Sequence, residues 1–200
     1  MTDTTKYNFS FSGISLRTKE MILLAQHDFS GMQLDIIQTF GAGKKKSARS
    51  VFDECNKRLN TLTAGQKNLL ASADLHTARQ MAFLAICKSH AFIRDFTVEV
   101  VREKFLIFDY QLTDGEYLSF FRRKAEQHPE IDNLKETSQK SVKMRTFKIL
   151  EQAGIIDTIR SKQIQMQLLE HQTIQLIKED HPDWLKIFLF SDSDIKNLIY

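Results

Sequence analysis

Residues 137–156 have the sequence TSQKSVKMRTFKILEQAGII, and this stretch predicts the fold of the C-terminal half. Its apolar residues recur at about 100° per residue, the spacing of one face of an α-helix. The apolar side comprises Val142, Thr146, Phe147, Ile149, Leu150 and Ala153. Thr137-Ser138 can cap the start, and Gly154 can end the helix in the left-handed conformation. The stretch therefore predicts an amphipathic helix that runs to Ala153.

The opposite side of this helix is basic, and acids are nearly absent from it until Glu151. It carries Lys140, Ser141, Arg145 and Lys148, with Lys143 near the boundary. Such side chains can contact phosphates or base edges. The pattern predicts a nucleic-acid contact, and the alternative is an ordinary amphipathic helix with a solvated basic face.

The flanking sequence favours a winged helix-turn-helix. A helix that starts at the Thr113/Glu116 capping box ends at His128-Pro129, and a short helix over residues 130–136 precedes the basic one. Residues 164–168 alternate apolar and polar, which is typical of a half-buried strand. Residues 160–163 would form the tip of a hairpin, where Arg160 and Lys162 could contact the nucleic-acid backbone. Residues 157–180 equally fit one long helix.

Helix signals also dominate the first half of the chain, where 7 Gly and 2 Pro in 200 residues leave few breaks. We expect a helix from Ser15, capping boxes at Ser30/Gln33 and Thr63/Gln66, a buried central helix over residues 74–91, and a helix over residues 92–108. The clearest break is at residues 110–115. The expected fold is mainly α, with an N-terminal helical bundle (1–110) and a C-terminal helix-turn-helix-like domain (111–200).

A second basic cluster lies in the first half. Residues 42–47, AGKKKS, predict a flexible loop that carries Lys44, Lys45 and Lys46, and Arg49 follows in the next helix. Lys57 and Arg58 extend the cluster. Lysines before a helix N-terminus suit a phosphate, because free N–H groups and the helix dipole favour an anion there. A solubilising surface loop is the alternative.

Composition and sequence-wide patterns indicate where the protein is located and which partners it could have. The net charge of +3 is too weak to identify a polyanionic partner by itself. Cys55 and Cys87 lie in apolar helical patterns, as free thiols in a reducing compartment do. No signal-peptide pattern is visible, and the longest apolar run, residues 81–87, is too short to span a membrane. We expect a soluble cytoplasmic protein without membrane contact.

The motifs of catalysis are missing from the sequence. The six histidines show no metal-ligand spacing, and neither a phosphate-binding glycine loop nor a nucleophile elbow is present. We therefore expect no catalytic residue, metal ligand or cofactor, and no enzymatic activity.

The chain resembles the BrxA family of bacterial BREX phage-defence systems over nearly its whole length. The resemblance rests on Phe9-Ser10-Phe11 before a helix, on residues 49–62 with Lys57-Arg58-Leu59, on residues 138–156 and on residues 184–194. It implies a small, mostly helical, non-enzymatic component of a multiprotein defence system that binds DNA, with a likeness to a helical RNA-binding antitermination factor.

The expected function is that of a DNA-binding accessory component of a BREX system, which binds duplex DNA through basic surface patches. The expected partners are duplex DNA and other BREX proteins. Two alternatives remain: an adaptor that joins larger defence proteins, and an RNA-binding helical protein. An electrostatic DNA binder differs from an adaptor by a steep dependence of affinity on salt.

Overall fold

Twelve α-helices follow one another in the computed structural model, which describes residues 6–31 and 34–199. They are α1 (Thr18–Ser30), α2 (Ile36–Gly41), α3 (Lys45–Leu59), α4 (Ala64–Ser72), α5 (Leu75–Ser89), α6 (Ala91–Phe96), α7 (Glu103–Leu106), α8 (Asp114–Ala125), α9 (Pro129–Asp132), α10 (Glu136–Ala153), α11 (His171–Asp180) and α12 (Asp192–Ile199). Short 3₁₀ helices lie at Ser10–Gly13 and Pro182–Phe188, and a π-helical stretch, Thr97–Arg102, joins α6 to α7. The mainly α class is therefore confirmed.

Helix α5 lies at the centre, and its side chains are buried without interruption over residues 80–87. Asp74 caps it by accepting hydrogen bonds from the N–H groups of His76 and Thr77. Helices α1, α3, α4, α6 and α10 pack around it. This confirms the buried central helix, since a helix that is apolar on most sides has to be surrounded by others.

Two of the three predicted capping boxes are present. Thr63 and Thr113 each accept a hydrogen bond from the N–H group three residues later, and the side chains of Gln66 and Glu116 accept from the N–H groups of the cap residues in return. The third box was placed wrongly. Ser30 is the last residue of α1, and Gln33 lies outside the described residues.

The starts of α1 and α2 also differ from the prediction. Helix α1 begins at Thr18 rather than near Ser15, after Arg17 adopts a left-handed backbone conformation with φ of 58°. Helix α2 begins at Ile36, where the Asp35 carboxylate accepts hydrogen bonds from two backbone N–H groups. Arg17 sets the start of α1 and Asp35 sets the start of α2. A search for capping boxes, which looks for paired residues three positions apart, detects neither.

The second half of the predicted basic loop is helical, because α3 begins at Lys45 and leaves only residues 42–44 as a connection. Ala42 and Gly43 turn the chain there with φ of 44° and 84°. A Cβ atom on Gly41 would lie 2.6 Å from the Cβ of Ala48, so glycine lets the end of α2 pack directly on the first turns of α3. This close packing shortens the loop.

The C-terminal half confirms the predicted helix order up to Gly154, which ends α10 with φ of 78°. The predicted strand over residues 164–168 is wrong, and so is one long helix over residues 157–180. The described residues form only isolated antiparallel bridges, Ile156 with Ile164 and Gln111 with Gln163. Backbone hydrogen bonds such as that from the Gln165 N–H to the Ile155 carbonyl oxygen (2.9 Å) hold the turn. Further along, the Leu168 carbonyl accepts a hydrogen bond from the Gln80 side-chain amide (2.8 Å) instead of pairing with a strand.

The first residues of the chain pack on helices of the C-terminal half. The Tyr7 ring stacks on His128 with a centroid distance of 3.9 Å, and the Leu16 N–H donates to the Gln152 side chain (3.0 Å). Buried apolar residues form one contiguous cluster from Tyr7 to Ile195. The division of the chain at residue 111 stays a prediction.

Candidate nucleic-acid interface

A groove of about 980 Å³ runs along the exposed side of α3, and we call it the α3 groove. The residues before α1 form one wall, with Asn8, Ser10 and Ile14, and α3 forms the other. The α3 side contributes Lys45, Lys46, Arg49, Ser50, Asp53, Glu54 and Lys57. The wall of residues 8–14 was not predicted, because these residues are 31 or more positions from α3 and carry no helical pattern.

Buried polar contacts hold the two walls together. The Arg58 guanidinium is fully buried and pairs with Glu54 (2.9 Å) while it donates to the Ser15 carbonyl oxygen (2.7 Å). The Glu54 carboxylate also accepts hydrogen bonds from the Ser10 hydroxyl (2.8 Å) and the His90 ring (2.5 Å). Arg58 was predicted to extend the surface basic cluster around residues 44–49. That prediction is wrong, because the Arg58 side chain is buried and its hydrogen bonds go to groups inside the protein.

The Glu54 carboxylate is held in its charged form. Burial alone would raise its pKa, but the His90 hydrogen bond and the charges of Arg58 and His90 outweigh burial and lower the pKa to about 2. The carboxylate is therefore compensated by its own neighbours, and it does not cancel the lysines on the open side of the groove.

Those lysines are exposed and uncompensated. Lys44, Lys45, Lys46 and Lys57 form no ion pair with another described residue, whereas Arg49 pairs with Asp53 (3.0 Å). The first turn of α3 contains no acidic residue, so lysines stand at the positive end of the helix dipole. Cations at this end are unfavourable, and a bound anion would relieve both the lysine charges and the free N–H groups.

The predicted basic face of α10 is largely paired within the protein. Lys140 pairs with Glu136 (2.6 Å), Lys148 pairs with Glu151, and Arg145 donates to the Ser12 carbonyl oxygen (3.3 Å). The Ser141 hydroxyl donates to the Thr137 carbonyl oxygen in the preceding turn (3.0 Å). These side chains share one side of the helix, but each already has a partner.

The predicted wing tip forms a turn beside α8 and α10. Arg160 is exposed on this turn and has no ion pair among the described residues. Lys162 pairs with Asp114 (3.1 Å), and its ammonium lies 5.2 Å from the centre of the Phe147 ring. Arg160 is therefore available to a partner, whereas the Lys162 ammonium contacts groups of the protein itself.

The described residues contain no group of His, Cys, Asp and Glu side chains suited to a metal ion. Across the same part of the chain, no helix is both long and apolar enough to cross a bilayer.

The fold and the groove define a small helical protein with a cationic surface groove. The sequence profile of the BrxA family matches residues 5–181, and the chain belongs to the BrxA family. This confirms the resemblance drawn from the sequence.

Known proteins similar to this chain include a BREX protein and a protein of solved structure. The protein named BREX protein BrxA, from Escherichia coli O9:H4 (strain HS), is 25% identical over 154 residues, which cover 76% of this chain and 72% of that protein. The crystal structure of an uncharacterized protein from Magnetospirillum magneticum superposes with a TM-score of 0.77 at 16% identity, over 92% of this chain and 98% of the other. The second similarity shows the shared fold.

Proposed function

We propose that this protein is a non-enzymatic, DNA-binding component of a BREX phage-defence system, and that the α3 groove contacts the phosphate backbone of duplex DNA. Family membership supports the role in defence. The observation that carries the DNA-binding part is a set of exposed, unpaired lysines: Lys45, Lys46 and Lys57 line the α3 groove, and Lys44 immediately precedes α3. None of the four has an acidic partner among the described residues.

The length of α3 suits a nucleic-acid backbone. Twelve residues separate Lys45 from Lys57, which corresponds to about 18 Å along the helix axis. Phosphates follow each other at about 3.4 Å per nucleotide along the axis of one strand, so the groove spans about five of them. Such contacts carry little sequence information, and we expect weak sequence preference with micromolar or weaker affinity.

The salt dependence of duplex binding tests this proposal. With about five phosphates neutralised, the logarithm of the association constant should fall against the logarithm of salt with a slope of roughly −4 to −5. The Lys45→Ala, Lys46→Ala and Lys57→Ala triple variant should bind more weakly to every duplex, and its slope should be shallower by about 3. Fluorescence anisotropy with a labelled duplex measures both quantities.

A matched variant controls for net charge. Lys19, Arg122 and Lys196 are exposed cations on α1, α8 and α12, and their joint replacement by Ala removes the same charge. This control should keep wild-type affinity. If both triple variants bind the duplex with the same affinity, the α3 groove is not the binding site. If the wild-type protein binds a structured RNA more tightly than a DNA duplex of equal length, RNA is the ligand.

An adaptor is the second candidate, and an exposed apolar pair favours it. Ile107 is 71% exposed and Phe108 is 80% exposed at the end of α7. Phe108 has a φ of 63°, a conformation that a bulky residue rarely adopts. Absence of duplex binding even at about 50 mM salt would favour this function over DNA binding.

A further inference from the structure

A second groove separates α8 from α10, and we call it the α8–α10 groove. It contains two neighbouring depressions. One, of about 280 Å³, has Tyr117, Leu118 and Phe121 as its apolar lining, and the other, of about 260 Å³, has Met144, Phe147 and Ile159. Lys140 and Lys143 line both depressions. Each depression also has one acid in its lining, Glu136 in the first and Asp114 in the second. The groove therefore has an apolar floor, and its lysines outnumber its acids.

The exposed apolar part of this groove is aliphatic. Leu118 is 43% exposed, Met144 58% and Ile159 42%, while the aromatic rings beneath them are buried. Isolated exposed apolar residues are common on protein surfaces, but here Leu118 lines the first depression, and Met144 and Ile159 line the adjoining one. Exposed apolar side chains around a groove favour a contact with a protein, because burying them removes apolar area from water.

The charged residues of the groove favour an acidic partner. Lys143 and Lys162 share a single carboxylate, that of Asp114, at 2.9 Å and 3.1 Å. Lys140, whose side chain is 75% exposed, pairs with Glu136 on the same helix. The Lys140–Glu136 pair is exposed at both ends and contributes little to stability, so an incoming carboxylate can replace Glu136 at low cost. Arg160 adds an unpaired cation next to Ile159.

The spacing of the two depressions suits a helix. The α10 residues that line the first are 136–143 and those that line the second are 140–147, an offset of four residues or about 6 Å. Side chains at positions i and i+4 of a helix are separated by the same distance. Two apolar anchors four residues apart would fill both depressions at once, as in other complexes of a helix in a groove.

The same features disfavour nucleic acid in this groove. Single-stranded bases stack on exposed aromatic rings, whereas Tyr117, Phe121 and Phe147 are each at most 9% exposed. A phosphate backbone has no apolar side chain that could fill an aliphatic depression. We propose that the α8–α10 groove binds an acidic amphipathic helix of a partner protein, with two apolar side chains four residues apart in its depressions. The inference is independent of DNA binding in the α3 groove.

Selection from a library of displayed random 16-residue peptides on the full-length protein tests this proposal. The enriched peptides should be acidic and should carry apolar residues at positions i and i+4. The Lys140→Glu, Met144→Ser double variant should bind them at least tenfold more weakly, since it removes a cation and part of the apolar floor. Lys196→Glu, which reverses an exposed lysine of α12, should bind them as the wild type does.

Both residues of the double variant are exposed on α10, so thermal melts of the three proteins should agree. Three outcomes would overturn the proposal: no enriched peptide, enriched peptides without acids or the apolar pair, or equal binding by the double variant and the wild type. A double variant that loses duplex DNA binding, in the absence of any selected peptide, would assign the groove to nucleic acid.

Discussion

Arg58 is a basic residue whose surroundings give it a structural role. Its guanidinium donates to the carbonyl oxygens of Ile14 (3.3 Å) and Ser15 (2.7 Å) and pairs with Glu54. A charge can be buried at this depth because several of its donors have partners. These contacts of Arg58 and Glu54 attach the residues before α1 to α3, and so they position one wall of the α3 groove.

The pH dependence of protein stability should reveal how strongly the Glu54 carboxylate is stabilised by Arg58 and His90. The pKa of Glu54 is lowered from its ordinary value of 4.5 to about 2 in the folded protein. A lowered pKa stabilises the fold fully above about pH 5, and this contribution is lost as the pH falls towards 2. A lowering of this size corresponds to about 3 kcal/mol of unfolding free energy at pH 7. Glu54→Gln should lose that amount at pH 7 and little at pH 2.

Urea denaturation of both proteins between pH 7 and pH 2 measures the difference. Glu126→Gln is the control, because Glu126 is an exposed acid at the end of α8. Parallel pH profiles for wild type and Glu54→Gln would show that the carboxylate is not coupled to its neighbours as described.

The two cysteines provide a test of core packing. Cys55 and Cys87 are both fully buried, and burial raises the pKa of Cys55 to about 12. A thiol without water access and without thiolate character is unreactive. We expect neither cysteine to react with Ellman's reagent in the native protein and both to react in guanidinium chloride. Rapid native labelling of either one would contradict the packing of α3 or α5.

Helix α10 combines a buried side with a paired polar side. Phe147 is 4% exposed and packs near Tyr117 (centroid distance 5.6 Å) and Phe96 (6.1 Å). Lys140 and Lys148 lie on the other side in ion pairs with acids of the same helix. The two sides should therefore respond differently to substitution.

Phe147→Ala should lower the unfolding free energy by about 3 to 5 kcal/mol, because it leaves a cavity between α8 and α10. Lys140→Gln with Lys148→Gln should change it by no more than about 0.5 kcal/mol for each residue. Thermal melts and duplex binding are measured on both variants. If the lysine pair proves essential for duplex binding and the α3 lysines prove dispensable, the nucleic acid lies on α10, as the winged-helix interpretation predicts.

The molecule as a whole has one apolar core, which continues across residue 111. Tyr7 contributes to this continuity, since it packs on Phe92 and His128 and its hydroxyl donates to Asp95 (2.7 Å). We expect a single unfolding transition in calorimetry, with equal calorimetric and van't Hoff enthalpies. Two separate transitions, with only one of them shifted by Tyr7→Ala, would instead support the division into residues 1–110 and 111–200.

The sequence by itself determined the helical class, the central helix α5, two capping boxes and the end of α10 at Gly154. Each of these depends on signals within a few residues of one another, such as Thr63 with Gln66. Only the tertiary structure decided which cations are free. Arg58 is buried by carbonyl groups more than 40 residues away, and the α3 groove needs a wall from residues 8–14. Such contacts join distant parts of the chain, and no periodic pattern records them.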